Sequence, residues 1–140
     1  MARRHRLSTL DAPYLRRIWL DPSRIESRDC YPFNINLFRD GFELDFDAPV
    51  TIIVGENGTG ESTLLEGIAS LAGYDSAGGG KGYRPVDHSA AIETSGDPLG
   101  DALRASWLPK ITQGWFFRAE SFFSVARYLD VAAVEANQLP

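Results

Sequence analysis

Cysteine is almost missing from this sequence: Cys30 stands alone among 140 residues, so no internal disulfide can form, and it reads as an inert thiol. Histidine is nearly as scarce, with only His5 and His88, which excludes a zinc site built from Cys and His. No stretch approaches the roughly 20 consecutive apolar residues of a membrane span. The Arg-rich start over residues 1–6 leads into no signal-type apolar run. A cytoplasmic protein that does not engage a membrane is expected. The remaining composition is ordinary for a globular chain, at 44% hydrophobic, 11% aromatic and 24% charged residues, and the length suits one domain.

Positive charge is also missing from one long stretch. Between Asp40 and Gly80 there is no Lys, Arg or His, whereas Asp40, Glu43, Asp45, Asp47, Glu56, Glu61, Glu66 and Asp75 are all acidic. The net charge of −5 is therefore uneven: residues 1–30 hold seven Arg against four acids, and residues 31–140 hold seven Lys and Arg against fifteen acids. A short basic start with no interleaved aromatics reads as a solvated tail over residues 1–13, not a nucleic-acid arm.

Several segments carry the period of regular structure. Tyr14 to Leu20 reads as a strand closed by Asp21-Pro22. Tyr31 to Phe38 and Phe42 to Phe46 alternate apolar and polar residues around an Arg39-Asp40-Gly41 turn, which predicts an antiparallel meander. Thr51-Ile-Ile-Val54 is a continuous apolar run, as expected of a strand buried on both faces of a parallel sheet. A helix over 62–72 is predicted to bury Leu64, Leu65, Ile68, Leu71 and Ala72. Residues 73–101 are rich in Gly, Ser, Asp and Pro and read as a surface lobe or long loop. Trp115 to Phe117 reads as a second buried strand and Glu120 to Ala136 as a helix, with the aromatics from Trp115 to Tyr128 assigned to the core.

The chemistry lies in Gly55-Glu-Asn-Gly-Thr-Gly-Glu-Ser-Thr63. A phosphate-binding P-loop, G-x-x-x-x-G-K-[ST], has Gly55, Gly60 and Ser62 in register here. Its glycines, Gly58 included, let backbone N–H groups converge on phosphate oxygens at the positive end of the following helix. Ser62 supplies a hydroxyl for Mg²⁺. The departure is Glu61, which takes the place of the lysine that reaches the β- and γ-phosphates. Two unit charges about 4 Å apart interact by roughly 4 kcal/mol at an effective dielectric near 20, so repulsion replaces attraction. Three origins stand open: an introduced or sequencing-level replacement, natural decay, or compensation by Lys81 within Gly78-Gly-Gly-Lys-Gly82.

With Gly-Glu-Asn-Gly-Thr-Gly-Glu-Ser-Thr-Leu-Leu-Glu at 55–66 and Trp-Phe-Phe-Arg-Ala-Glu-Ser-Phe-Phe at 115–123, the chain resembles the ABC-type ATPase heads of the SMC, RecF and SbcC group. It is most similar to the small predicted AAA ATPases of bacteria built on that head. The resemblance implies an α/β P-loop NTPase fold: a parallel sheet with helices plus an antiparallel β lobe. It also implies ATP and Mg²⁺ as ligands, ATP hydrolysis as the reaction, and residues 55–63 (Gly55, Glu56, Asn57, Gly58, Thr59, Gly60, Glu61, Ser62 and Thr63) as the nucleotide site. Glu120, or more weakly Gln113, is the positional counterpart of the polar residue that meets Mg²⁺ and water in such heads. Arg118 corresponds to a nucleotide or interface contact, or to an ordinary surface salt bridge. A second head is the implied partner, and nucleic acid enters by analogy alone.

Two motifs of such heads have no counterpart here: an apolar run ending in Asp-Glu, and a Ser-Gly-Gly signature opening a helix. Residues 14–140 are thus expected to be the N-terminal part of a longer head and inactive by themselves. The alternative is a non-catalytic interaction module that keeps the loop only as structure.

Overall fold

The structure, a computed structural model, describes residues 10–74, 78–80, 97–111 and 113–119. Strand β1, Leu15–Leu20, lies at the centre of a three-stranded antiparallel sheet, between β2, Glu43–Asp45, and β4, Leu103–Trp107. Its period of two explains its place: Ile18 and Leu20 are buried, while Arg17 points to the wet face. Arg17 is registered opposite Asp45 and bonds its carboxylate through two nitrogens, with Glu43 2.9 Å away. These carboxylates, led by the Asp45 hydrogen bond, raise the Arg17 pKa further above its usual value.

Asp21 ends β1 and caps the 3₁₀ turn Pro22–Arg24, accepting from the Ser23 N–H at 3.0 Å and the Ser23 hydroxyl at 2.6 Å. Arg104 adds a third donor from β4 at 3.1 Å. The Ser23 bonds first, then Arg104, hold the Asp21 carboxyl below the ordinary carboxylate range.

Helix α2, Glu61–Ala72, crosses to the sheet, and Gly73 closes it in a left-handed conformation. The Gly73 N–H bonds to Ser70 and the Tyr74 N–H to Ala69, the pairing that satisfies the last carbonyls of a helix. A short helix, α3, Asp97–Ala102, packs on α2 and runs straight into β4. The two helices meet at glycines: a Cβ on Gly67 would lie 2.9 Å from Leu99, and one on Gly100 would lie 3.2 Å from the Gly67 carbonyl. The core gathers Ile18, Leu20, Phe33, Phe38, Leu64, Leu99, Ala102 and Leu103 between sheet and helices.

Several expectations change at this level. Residues 31–38 form no strand: turns bonded to the Cys30 carbonyl lead into helix α1, Asn36–Arg39. Pro32 has no N–H to give a ladder, and the turn brings Phe33 and Phe38 into the core, where Phe38 meets Phe42 edge to face. Of the meander, only the pairing of β2 with β1 exists.

The run 51–54 is not a buried strand. Ile52 is 80% exposed and Val54 85%, and only Ile53 leans on the core. The described strands β2, β1 and β4 pair only with one another, and the run joins neither outer edge of their sheet. Among the described residues every strand pair is antiparallel, so the structure is α/β with a small antiparallel sheet and displays no parallel one. Leu65 turns outward from α2.

The stretch 73–101 is not loop throughout. It contains β3, Gly79–Gly80, and most of α3, whose Leu99 is fully buried. Strand β5, Trp115–Phe116, pairs with β3, yet Trp115 is 79% exposed and Phe117 is also exposed, so this segment is neither a buried strand nor core. The helix expected over 120–136 lies outside the described residues, as do the tail over 1–9 and residues Lys81 and Glu120.

Candidate functional site: a glycine loop at the start of a helix

The loop at 55–60 hangs between the exposed run and α2, and two positive-φ glycines shape it. Gly58 (φ +84°) lets the chain turn so that the Thr59 N–H reaches the Glu56 carbonyl at 3.1 Å. Gly60 (φ +103°) precedes α2, and its carbonyl accepts the first helical bond, from Leu64, at 2.9 Å. A Cβ at Gly60 would also come 2.5 Å from the Ile35 Cδ1, which would have to give way. The residue ahead of α1 thus seats the loop against the body of the protein.

Gly60 offers no side-chain cap to α2, so the first-turn N–H groups are available to an external acceptor at the positive end of the helix. Ser62 is exposed, and its hydroxyl is uncommitted among the described residues. Thr63 is 4% exposed and shares a short hydrogen bond with the Tyr31 hydroxyl. The two adjacent hydroxyls therefore differ in kind: Ser62 faces outward, whereas Thr63 ties α2 to the turn before α1.

Glu61 opens the helix but turns back over the loop. Its carboxylate accepts a hydrogen bond from the Thr59 hydroxyl, which also lies 2.8 Å from the Glu56 carbonyl. A Cβ on Gly55 would collide with this carboxylate and with the Thr59 hydroxyl, the Glu61 carboxyl carbon being 2.9 Å from that position. The last position of the loop is thus laid across the first. The carboxylate lies over Gly55 and takes its hydrogen bond from the Thr59 hydroxyl.

Next to the loop runs a cleft of about 930 Å³. Leu37, Phe42 and Leu44 form one wall, Ile52, Ile53 and Val54 another, and Gly55, Thr59 and Glu61 close its polar end. It falls within the volume range of small-molecule sites.

Other residues singled out from the sequence fall elsewhere. Gln113 is exposed and does not line the cleft. Arg118 is not an exposed surface charge: its Nη2 lies 2.9 Å from Glu66 Oε1, with the two side chains only 14% and 3% exposed. This buried pair and the Tyr31–Thr63 bond were missed in the sequence. One signal was present, for Glu66 falls on the small-residue stripe of α2 three residues after Thr63 and three before Ala69, and a carboxylate on such a stripe demands a partner. Tyr31 carried no comparable signal.

The frame around the loop, from the turn at Phe33 through α1, β2, α2 and α3 into β4, is the segment that matches a known family: residues 33–105, 73 of the 140, match the AAA domain. The chain belongs to the AAA domain family. No curated protein and no solved structure matches it. As an AAA domain it is a P-loop ATPase-like fold of a nucleotide-binding kind. Among the described residues no helix is long and apolar enough to cross a membrane, and no cluster of His, Cys, Asp and Glu could hold a metal ion.

The residues present divide over the ligands of this family. For Mg²⁺, the exposed Ser62 hydroxyl beside the loop is a fitting donor. For the β- and γ-phosphates they do not fit as they stand, because an anionic side chain lies over Gly55 and no Lys, Arg or His lies between residues 40 and 80 to offset it.

Proposed function

We propose that this chain is the ATP-binding segment of an ABC/AAA-type P-loop ATPase similar to SMC, RecF and SbcC heads, with a phosphate site weakened by Glu61. The observation that carries the reading is the loop itself: two left-handed glycines deliver residues 55–60 onto the uncapped N-terminus of a twelve-residue helix, within an AAA domain. Gly55, Gly58 and Gly60 shape the cradle, the backbone over 56–63 provides its donors, and Ser62 is the Mg²⁺ ligand. The Asp-Glu and Ser-Gly-Gly motifs of such heads come, in this reading, from the remaining half of the head or from a second head, so ATP hydrolysis belongs to the assembled protein. A cytoplasmic setting and residues 14–140 as one unit belong to the same proposal. Family membership favours nucleotide binding over a loop kept purely as structure.

The test is calorimetric titration of Mg·ATP into the chain and into Glu61→Lys. Exchanging an anion for a cation at the loop changes the interaction by several kcal/mol at short range, so binding in the Lys variant should be tighter by at least about tenfold. A folded Glu61→Lys protein that shows no binding removes the nucleotide reading.

A further inference from the structure

Repulsion between Glu61 and phosphate is one way to weaken the loop; the geometry points to another, which rests on the nucleotide-binding reading. We infer that the Glu61 carboxylate is a built-in occupant of the phosphate cradle, tethered by the Thr59 hydroxyl, so that the AAA loop is held shut by its own side chain. Three observations carry this. The carboxylate lies over Gly55, in space that only a glycine leaves open. Thr59 donates to it from across the loop. Glu61 stands in the first turn of a helix whose cap has no side chain, at the positive end where a negative charge is favoured.

Occupancy and repulsion make different demands. Repulsion acts through charge alone and is relieved by any neutral residue. Occupancy acts through volume and the tether, so a neutral residue of the same size that still accepts from Thr59 keeps the loop shut. Phosphate enters only when the side chain swings out, and the cost of that movement falls on the affinity of any anionic ligand.

The experiment is Mg·ATP titration of the full chain in four forms: unaltered, Glu61→Gln, Glu61→Ala and Glu61→Lys, each checked for fold by circular dichroism. Occupancy predicts that Glu61→Ala binds several-fold more tightly than Glu61→Gln. Equal affinity of the Gln and Ala variants while Glu61→Lys binds, absence of binding in both included, overturns it. Loss of binding in Glu61→Lys strikes the nucleotide reading instead, and a second measurement without nucleotide then decides occupancy. Glu61→Asp keeps the charge and shortens the side chain by one methylene. The NMR resonances of Gly55 should shift in this variant, and unmoved Gly55 resonances show that the carboxylate was never over the loop.

Discussion

Each of three carboxylates on this chain is explained by what it touches. Asp21 gains from folding, since its ordinary pKa near 3.8 is lowered by two Ser23 hydrogen bonds and then by Arg104. A carboxylate with a depressed folded pKa contributes stability above its unfolded pKa and loses it as pH falls through the folded value. Acid unfolding below about pH 4 should therefore be shallower in Asp21→Asn than in the unaltered chain; parallel acid limbs in the two proteins would refute this. Glu66 is the opposite case, buried at 3% exposure and held by Arg118. Truncating one partner of a buried pair removes a desolvated charge–charge contact, which in such pairs costs up to about 3–5 kcal/mol. Arg118→Ala should lose about that much in urea-monitored unfolding, whereas a surface pair would cost under about 1 kcal/mol. The third, Glu61, lies over Gly55 and accepts a hydrogen bond from the Thr59 hydroxyl.

Among the elements, α2 carries both the site and the packing. Its first turn faces the loop, Thr63 ties it to Tyr31, Leu64 enters the core, and Gly67 lets α3 approach. The segment 50–54 that leads into the loop is anchored only through Ile53: Val50, Ile52 and Val54 stand at 75% exposure or more. This contrast is measurable. Ile52→Asn should change stability by no more than about 0.5 kcal/mol, as expected of an unpacked position, whereas Leu99→Ala should cost about 2–5 kcal/mol. A loss of several kcal/mol in Ile52→Asn would mean that the run is buried in the folded protein. Helix α2 was legible from the spacing of Leu64, Ile68 and Leu71 because a local period decides which face is apolar. Helix α3 was not: Pro98 and Gly100 mask it in the sequence, and what makes it a helix is the packing of Leu99 against Gly67.

Across the whole molecule, protection should follow the antiparallel sheet. Its ladder is continued beyond the strands by Phe46 to Arg16 and Leu108 to Tyr14 backbone bonds, and its central strand is bonded on both sides. Amide hydrogen exchange should be slowest in β1 and fastest, among the described residues, over 50–58; exchange as slow at 52–54 as in β1 would contradict this arrangement. The charge pattern read from the sequence has its structural meaning at the same scale. The cation-free stretch 40–80 contains the loop, the cleft wall and α2, and the cations that do answer its acids, Arg17 to Glu43 and Asp45 and Arg118 to Glu66, come from outside it.

By itself the sequence determined the loop, the helix behind it, the strand Leu15–Leu20 and the anomaly at Glu61, because glycine spacing, helical period and side-chain charge are local properties that need no neighbours to be read. It misread residues 31–38 and 51–54, where alternation and hydrophobicity describe a fitness for strands but not the availability of partners. Only the tertiary structure decided those, since a strand exists through the edge it bonds to and a carboxylate acts on what lies within its reach. That is why the sequence alone showed an acid at position 61 among glycines, and only the folded chain showed that its carboxylate lies across Gly55.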